Sequence, residues 1–185
     1  VVVAKGGFSI RLIVMAILIT LWGARLTANF ARIGAYSIKF WQGKEDYRWE
    51  ILRKNKLFQS KIVWALFDLL FISVYQNFIV LAITLPAILC IGSTVKFGII
   101  DVIVTVIALA FLVLETVADE CQWKFHQTKR KLLSEGKTLN ELPFPYNKGF
   151  NTTGIWNYCR HPNYLGEQGI WFTLYFFTVS AKVVK

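Results

Sequence analysis

Long uninterrupted apolar runs constrain this chain more than any other feature of its sequence. The hydrocarbon core of a bilayer is about 30 Å thick and needs about 20 mostly apolar residues in a helix, and several runs reach that length. Hydrophobic residues make up 55% of the 185-residue chain and charged residues only 17%, which argues against a soluble domain. We therefore predict an all-α, multi-pass transmembrane helix bundle that forms a single integral membrane domain over residues 1–185.

Four segments are predicted to cross the membrane. They run from about Phe8 to Phe30, from Ile62 to Ile91, from Phe97 to Ala118, and from Gly166 to Val179 or beyond. Pro86 lies near the far end of the second segment, where a kink is tolerated if neighbouring groups satisfy the freed carbonyl. The chain starts at Val1 and stops at Lys185 beside apolar residues, and we expect it to be incomplete at both ends.

The distribution of basic residues predicts the orientation of the chain. Residues 31–61 contain eight Lys and Arg and residues 120–166 contain seven, whereas the connection between the second and third segments contains only Lys96. Four alternating spans place the two basic loops on one face, which the positive-inside rule makes cytosolic. The host is then a bacterial inner membrane or an endoplasmic reticulum-type membrane. Because these loops account for the net charge of +10, we predict no nucleic-acid partner.

Cysteine and histidine are too sparse for a metal site. Cys90, Cys121 and Cys159 form no Cys-x-x-Cys pair, and the chain has only two histidines. We therefore predict neither a disulfide framework nor a protein-held metal. Asn151-Thr152-Thr153 matches a glycosylation sequon, but the expected topology keeps it on the cytosolic side, and we interpret it as a turn.

Polar residues line one face of the helix that leaves the third apolar segment. Glu115, Asp119, Gln122 and His126 are spaced four, three and four residues apart, so they share a face. An ionisable group inside a span is expensive and usually faces a cavity. This argument favours a functional role for Glu115 and Asp119, whereas Gln122 and His126 fit a solvated helix end equally well.

A polar and aromatic motif from Gly154 to Glu167 precedes the fourth segment. Pro162 suits the first position of a helix, and Gly154 provides a flexible entry to the turn. Asn163 and Glu167 then share a face near the positive helix end, where free N–H groups favour an anion such as phosphate and Arg160 adds a bidentate grip. The alternative is a face in contact with lipid headgroups, which has no need for Asn163 and Glu167 at this spacing.

Other polar residues are weaker candidates. Arg25 is isolated among apolar residues near the cytosolic end of the first segment. The mixed-charge aromatic patch from Gly43 to Trp49 fits an interfacial anchor and a cofactor-facing role equally well. Asp68, Tyr75 and Gln76 are candidates for lining a cavity, although Asp68 also fits a position at the membrane edge.

Four blocks of the chain resemble the steroid 5-alpha-reductase-like membrane proteins, and most closely their uncharacterised bacterial-type relatives. The blocks are Leu21-Trp22-Gly23-Ala24-Arg25-Leu26, Gly43 to Trp49, Glu115 to Asp119 with Gln122, and Lys148 to Glu167. The last block also resembles the Arg-His-x-Asn-Tyr-x-Gly-acid signature of sterol reductases. The resemblance implies a bundle of about six or seven helices, of which this chain is a fragment, with NADPH entering from the cytosol.

The resemblance also implies roles for individual residues. Glu115 and Asp119 match the family's Asn and Asp at the polar half of the cofactor, and Asn163 and Glu167 match its Asn and Glu beside the nicotinamide and ribose. The full set of expected cofactor-binding residues is Arg25, Glu115, Asp119, Gln122, Tyr158, Arg160, His161, Asn163, Tyr164 and Glu167. The expected reaction is NADPH-dependent reduction of a conjugated carbon–carbon double bond in a steroid- or lipid-like substrate.

The chain departs from the family at the catalytic acid. Characterised steroid reductases polarise the substrate carbonyl with a Tyr–Glu pair, but the Glu belongs to an earlier helix that this chain lacks. Trp22 stands at the Tyr position and cannot act as an acid. A late Arg/His/Tyr cofactor cluster is expected beyond Lys185. No catalytic residue is therefore assigned.

Two alternatives remain open at this point. S-adenosylmethionine-dependent methyltransferases of the isoprenylcysteine or phospholipid type share an Arg-His-Pro-x-Tyr-x-Gly stretch, although they usually lack Asn and Glu at the positions of Asn163 and Glu167. The third hypothesis is a non-catalytic subunit of a larger membrane complex, which Trp22 keeps open.

Overall fold

The computed structural model describes residues 9–36 and 47–183, and within these ranges the regular structure is entirely helical. This confirms the predicted all-α class. Three of the described helices are long and apolar enough to cross a bilayer, namely Ile10–Arg32, Lys61–Leu89 and Ile99–Ser134. The chain is therefore an integral membrane protein, with its helices close to the first three predicted spans.

The described residues up to Thr94 form one compact unit. Its helices are α1 (Ile10–Arg32), α2 (Tyr47–Arg53), a 3₁₀ turn (Lys56–Gln59), α3 (Lys61–Phe67), a π-helical segment (Asp68–Tyr75) and α4 (Gln76–Leu89). The last three follow without a break and form one membrane-length helix. Phe67, Phe71 and Tyr75 stack along it, with ring centroids 5.1 and 5.3 Å apart.

Val95–Val183 form a second compact unit. Its helices are α5 (Ile99–Ser134), two 3₁₀ turns (Leu139–Glu141 and Gly154–Asn157) and α6 (Pro162–Ser180). The Asp101 carboxylate accepts the Gly98 N–H at 2.8 Å and so satisfies an amide at the start of α5.

Helix α5 extends well beyond the predicted end of the third span at Ala118. At 1.5 Å per residue, its 36 residues measure about 54 Å, against a hydrocarbon core of about 30 Å. The extension is rich in Glu, Gln, Lys and Arg, which are good helix formers although they are polar. Hydropathy detects where the apolar part ends, but it does not detect where the helix ends.

Two glycines set the close packing of α6 against α5. A methyl group on Gly166 would lie 2.7 Å from Glu115 Cβ and 2.9 Å from the Phe111 carbonyl oxygen. A methyl group on Gly169 would lie 2.5 Å from the Phe111 ring. Because later residues of α6 meet earlier residues of α5, the two helices run antiparallel, and the missing methyl groups permit the contact.

Helix α6 begins where the motif predicts, with His161 as the N-cap residue and Pro162 at the first position. However, among the described helices α6 is not one of those apolar enough to be identified as a span. Its first half carries Asn163, Glu167 and Gln168, which lower its hydropathy. The helix is therefore present, whereas its crossing of the membrane stays a prediction.

Candidate functional site

The polar face of α5 meets the first turn of α6. Asn163 Nδ2 donates a hydrogen bond to Asp119 Oδ1 at 3.3 Å, and Gly166 lies directly against Glu115. We call Glu115, Asp119 and Asn163 the polar cluster. Glu167 is half-buried one turn after Asn163 on the same helix. The structure thus brings together residues that are 44 positions apart in sequence.

Glu115 is the most deeply buried member of the polar cluster, at 1% exposure. Leu112, Val113 and Leu114 precede it on α5, and Gly166 of α6 lies against its Cβ. Removing a carboxyl group from water costs free energy, and a carboxyl group inside an apolar segment usually has a function. The position of Glu115 therefore supports the functional interpretation of the polar face.

Asn163 presents an unused acceptor to the interior. Its Nδ2 donates to Asp119, but its Oδ1 is buried and has no hydrogen-bond partner among the described residues. A buried carbonyl oxygen without a donor costs about 1–3 kcal/mol. Ionised Asp and Glu side chains also only accept hydrogen bonds. The buried Asn163 Oδ1 therefore suits a ligand that brings a hydrogen-bond donor.

One turn further along α5, Gln122 and His126 form a pair. Gln122 Nε2 lies 3.0 Å from His126 Nε2, and because an amide NH₂ can only donate, the imidazole nitrogen accepts the bond as a neutral ring. Burial lowers the pKa of His126, and the nearby Arg130 and Lys129 charges lower it further. Both effects favour the neutral form of the imidazole.

The turn before α6 is fastened to α5. Gly154 has a φ of +60°, a conformation that favours glycine, and the 3₁₀ turn Gly154–Asn157 follows it. Trp156 Nε1 donates to the Ala118 carbonyl at 3.1 Å. This bond holds the motif beside Asp119. Sequence reasoning did not assign this role to Trp156, although a partly buried indole N–H usually has a partner.

Asn151 confirms the interpretation of the sequon as a turn. Its Oδ1 accepts from the backbone N–H of Thr153 at 3.0 Å and from the Thr153 hydroxyl at 2.9 Å. Asn151 itself is only 4% exposed. The side chain is thus used by the local backbone in an Asx turn.

Four other predicted site residues lie on the surface of the second unit. Tyr158 is 90% exposed, and Arg160, His161 and Tyr164 are also exposed. The rings of His161 and Tyr164 lie 5.6 Å apart. The structure does not bring these four side chains into the polar cluster, and their roles stay predictions.

The remaining predicted residues belong to the first unit. Arg25 lies on α1, one turn after the buried Trp22, and its cofactor role stays a prediction. Gly43 to Asp46 of the mixed-charge patch lie outside the described residues, whereas Trp49 belongs to α2.

Comparisons with known proteins identify a family. A family model described as "Protein of unknown function (DUF1295)" matches residues 1–185. An uncharacterised protein of Schizosaccharomyces pombe is 36% identical over 93% of this chain and 49% of its own length. The chain therefore spans about half the length of this curated relative. No solved structure matches the chain.

Proposed function

This chain belongs to the DUF1295 family, and we propose that it is the cofactor-binding part of an NADPH-dependent membrane reductase. The proposed reaction reduces a conjugated carbon–carbon double bond in a steroid- or lipid-like substrate. The observation that carries the proposal is the contact between Asp119 and Asn163, which joins the two sequence blocks of the reductase resemblance in one polar cluster.

The chemistry of the polar cluster fits the donor-bearing half of NADPH. Ribose hydroxyls and the nicotinamide carboxamide supply O–H and N–H donors, and the buried Asn163 Oδ1 supplies an acceptor without a partner. Carboxylates repel phosphates, so the phosphates belong elsewhere. The exposed Arg160 suits them.

In this proposal the chain positions the cofactor and limits its contact with water. NADPH, when bound, supplies a hydride for the reduction. Asn163 holds the carboxamide or ribose from the first turn of α6, and Asp119 fixes the Asn163 amide. Glu115, buried beneath Gly166, keeps a further acceptor at the apolar boundary. The two basic loops then face the cytosol, where NADPH is available.

Binding of NADPH to the natural full-length protein tests the proposal. Asn163→Ala and Glu167→Ala each remove hydrogen bonds to the ligand. A bond to a polar or charged group contributes about 1–3 kcal/mol, so affinity should fall about fivefold to a hundredfold. Isothermal titration of the purified protein in detergent measures the loss.

Thr116→Ala is the matched control. Thr116 follows Glu115, but it is exposed, and its hydroxyl bonds to the Leu112 carbonyl of its own helix. This variant should bind NADPH normally, and all three variants should insert into the membrane. Unchanged affinity in both site variants would remove the site assignment, and no NADPH binding by the natural protein would end the reductase proposal. Binding of S-adenosylmethionine in the same assay would instead favour a methyltransferase.

A further inference from the structure

A basic and aromatic segment of the first unit leads into the membrane-length helix Lys61–Leu89. It comprises most of α2, the 3₁₀ turn Lys56–Gln59 and α3, and we call residues 48–67 the basic corner. Its only acidic residue, Glu50, pairs with Lys54 at 3.4 Å. A surface with such an excess of positive charge attracts anions. The basic residues of the corner are Arg48, Arg53, Lys54, Lys56 and Lys61.

Aromatic packing holds the three elements of the basic corner together. The Phe67 ring lies 5.0 Å from Phe58, 5.6 Å from Trp64 and 6.0 Å from Trp49, measured between ring centroids. These contacts join α3 to the 3₁₀ turn and to α2. The start of the turn is also fixed, because the Asn55 Oδ1 accepts the N–H two residues later at 3.0 Å. The basic side chains are therefore carried by an ordered surface.

Two lysines of the basic corner are available to an anion. Lys56 and Lys61 are exposed, and neither has an ion-pair partner among the residues that the structure describes. The Arg53 guanidinium carbon lies 4.3 Å from the centre of the Trp64 ring, a cation–π contact that positions a further positive charge. The corner thus offers two ammonium groups together with an oriented guanidinium.

The basic corner lies at the depth of the lipid headgroups. Residues 69–89 carry no charged side chain and measure about 31 Å at 1.5 Å per residue, which matches a hydrocarbon core of about 30 Å. Asp68 then marks the edge of the hydrocarbon, and Trp64 and Phe67 lie in the interfacial layer, where Trp is enriched. Lys61 lies about 10 Å beyond Asp68 along the axis, so its long side chain reaches the phosphates.

Exposed apolar side chains alternate with the basic residues of the corner. Ile51 is 59%, Leu57 is 63% and Ile62 is 74% exposed, and each is within two residues of a Lys or Arg in the sequence. Water alone is a poor environment for these side chains, whereas the boundary between headgroups and acyl chains accommodates both kinds. The combination therefore favours a lipid surface over a soluble anion.

We propose that the basic corner binds the headgroups of anionic phospholipids at the membrane surface, with Lys56 and Lys61 contacting the phosphates. Its positive charge supplies the attraction, and its place at the start of a membrane-length helix brings the headgroups to it. The positive-inside rule predicts that this surface is the cytosolic one, and anionic lipids are common in that leaflet. The proposal is independent of the proposed reductase function.

Native mass spectrometry of the natural full-length protein in detergent tests the proposal, with dioleoylphosphatidylglycerol and dioleoylphosphatidylcholine as probes. The protein should bind the anionic lipid more tightly than the zwitterionic one. Lys56→Gln and Lys61→Gln should each lower the affinity for dioleoylphosphatidylglycerol about fivefold, which is the contribution of one lysine near an anionic surface, and should leave dioleoylphosphatidylcholine binding unchanged. Lys56→Arg and Lys61→Arg keep the charge and should keep the affinity.

Lys131→Gln is the matched control. It removes the same charge from an exposed lysine near the end of α5, about 20 Å along the helix beyond the apolar run that stops near Ala118, and it should bind both lipids like the natural protein. Equal affinity of the natural protein for the two lipids would overturn the proposal, as would an equal loss in Lys131→Gln. Unchanged binding in Lys56→Gln and Lys61→Gln would also overturn it, and is the result expected if another segment of the full-length protein covers the basic corner.

Discussion

Gly166 and Gly169 meet different atoms of α5, and this difference makes their substitutions distinguishable. A methyl group at Gly169 would collide with the Phe111 ring at 2.5 Å, which is a side chain that can be removed. A methyl group at Gly166 would meet the Phe111 carbonyl and the Glu115 Cβ, which no substitution at Phe111 clears. The first conflict is therefore removable and the second is built into the backbone.

Gly169→Ala should destabilise the protein by about 1–3 kcal/mol through overpacking. In a Phe111→Ala background the same change should cost nothing, whereas Gly166→Ala should keep its cost in that background. Thermal unfolding of the purified protein in detergent measures both double-mutant cycles.

Gly23→Ala is the control for these cycles. Gly23 lies inside α1, and a methyl group there would have nothing within 4 Å. The alanine should be neutral or should stabilise the helix by up to about 1 kcal/mol. An equal loss of stability in all three glycine variants would contradict the proposed packing of α6 on α5.

At the residue scale, the sequence was sufficient to predict which side chains share one helix face. It was less informative about which residues of the neighbouring helix that face contacts. The spacing of Glu115 and Asp119 and the position of Asn163 were sufficient to nominate all three. The hydrogen bond from Trp156 to Ala118 and the contact between Gly169 and Phe111 depend on how the second segment packs against α5. Periodicity along one helix carries no information about that packing.

At the element scale, the polar extension of α5 should make stability depend on pH. Burial, Arg130 and Lys129 lower the pKa of His126 in the folded protein, so the unfolded chain takes up a proton first as the pH falls. The contribution is present above about pH 6.5 and is lost as the pH falls through the folded-state pKa. Protonation also ends the ability of His126 Nε2 to accept from Gln122.

His126→Gln should therefore flatten the decrease in unfolding temperature of the purified protein between neutral and mildly acidic pH. His161→Gln replaces the exposed histidine at the start of α6 and serves as the control, which should retain the decrease of the natural protein. Identical pH profiles for the natural protein and His126→Gln would show that this residue is not the source.

The ends of the helices also differ in how well the sequence predicts them. The start of α6 was predictable because Pro162 fixes it locally. The end of α5 was not, because the apolar run stops near Ala118 while the helix continues to Ser134. Composition decides whether a segment prefers lipid, and helix propensity decides whether it stays helical, so the two limits need not coincide.

At the scale of the whole molecule, the positive-inside rule predicts one orientation. Single cysteines introduced at Phe58 and Thr138 should react with a membrane-impermeant thiol reagent only from the cytosolic side, and a cysteine at Thr94 only from the opposite side. The test uses the full-length protein with its three native cysteines replaced. Labelling of the cysteines at positions 58 and 138 from opposite sides of the membrane would refute the four-span topology.

The chain covers 49% of the length of its curated relative. The resemblance to the steroid reductases implies a catalytic acid on an earlier helix. Trp22, at the position of the catalytic Tyr, cannot act as an acid. Under the reductase proposal, turnover is therefore expected to require the remaining half of a full-length relative, whereas the proposed NADPH contacts lie in the second unit.

The antiparallel arrangement of α5 and α6 has a consequence for any guest molecule with two unlike halves. The carboxyl end of α5 and the amino end of α6 lie together and are polar, whereas the opposite ends of both helices are apolar. Their shared boundary acts as a gradient with a fixed direction. An amphipathic ligand is therefore expected to bind there in one orientation, with its polar end beside the polar ends of the helices. This orientation is set before the ligand makes any specific contact.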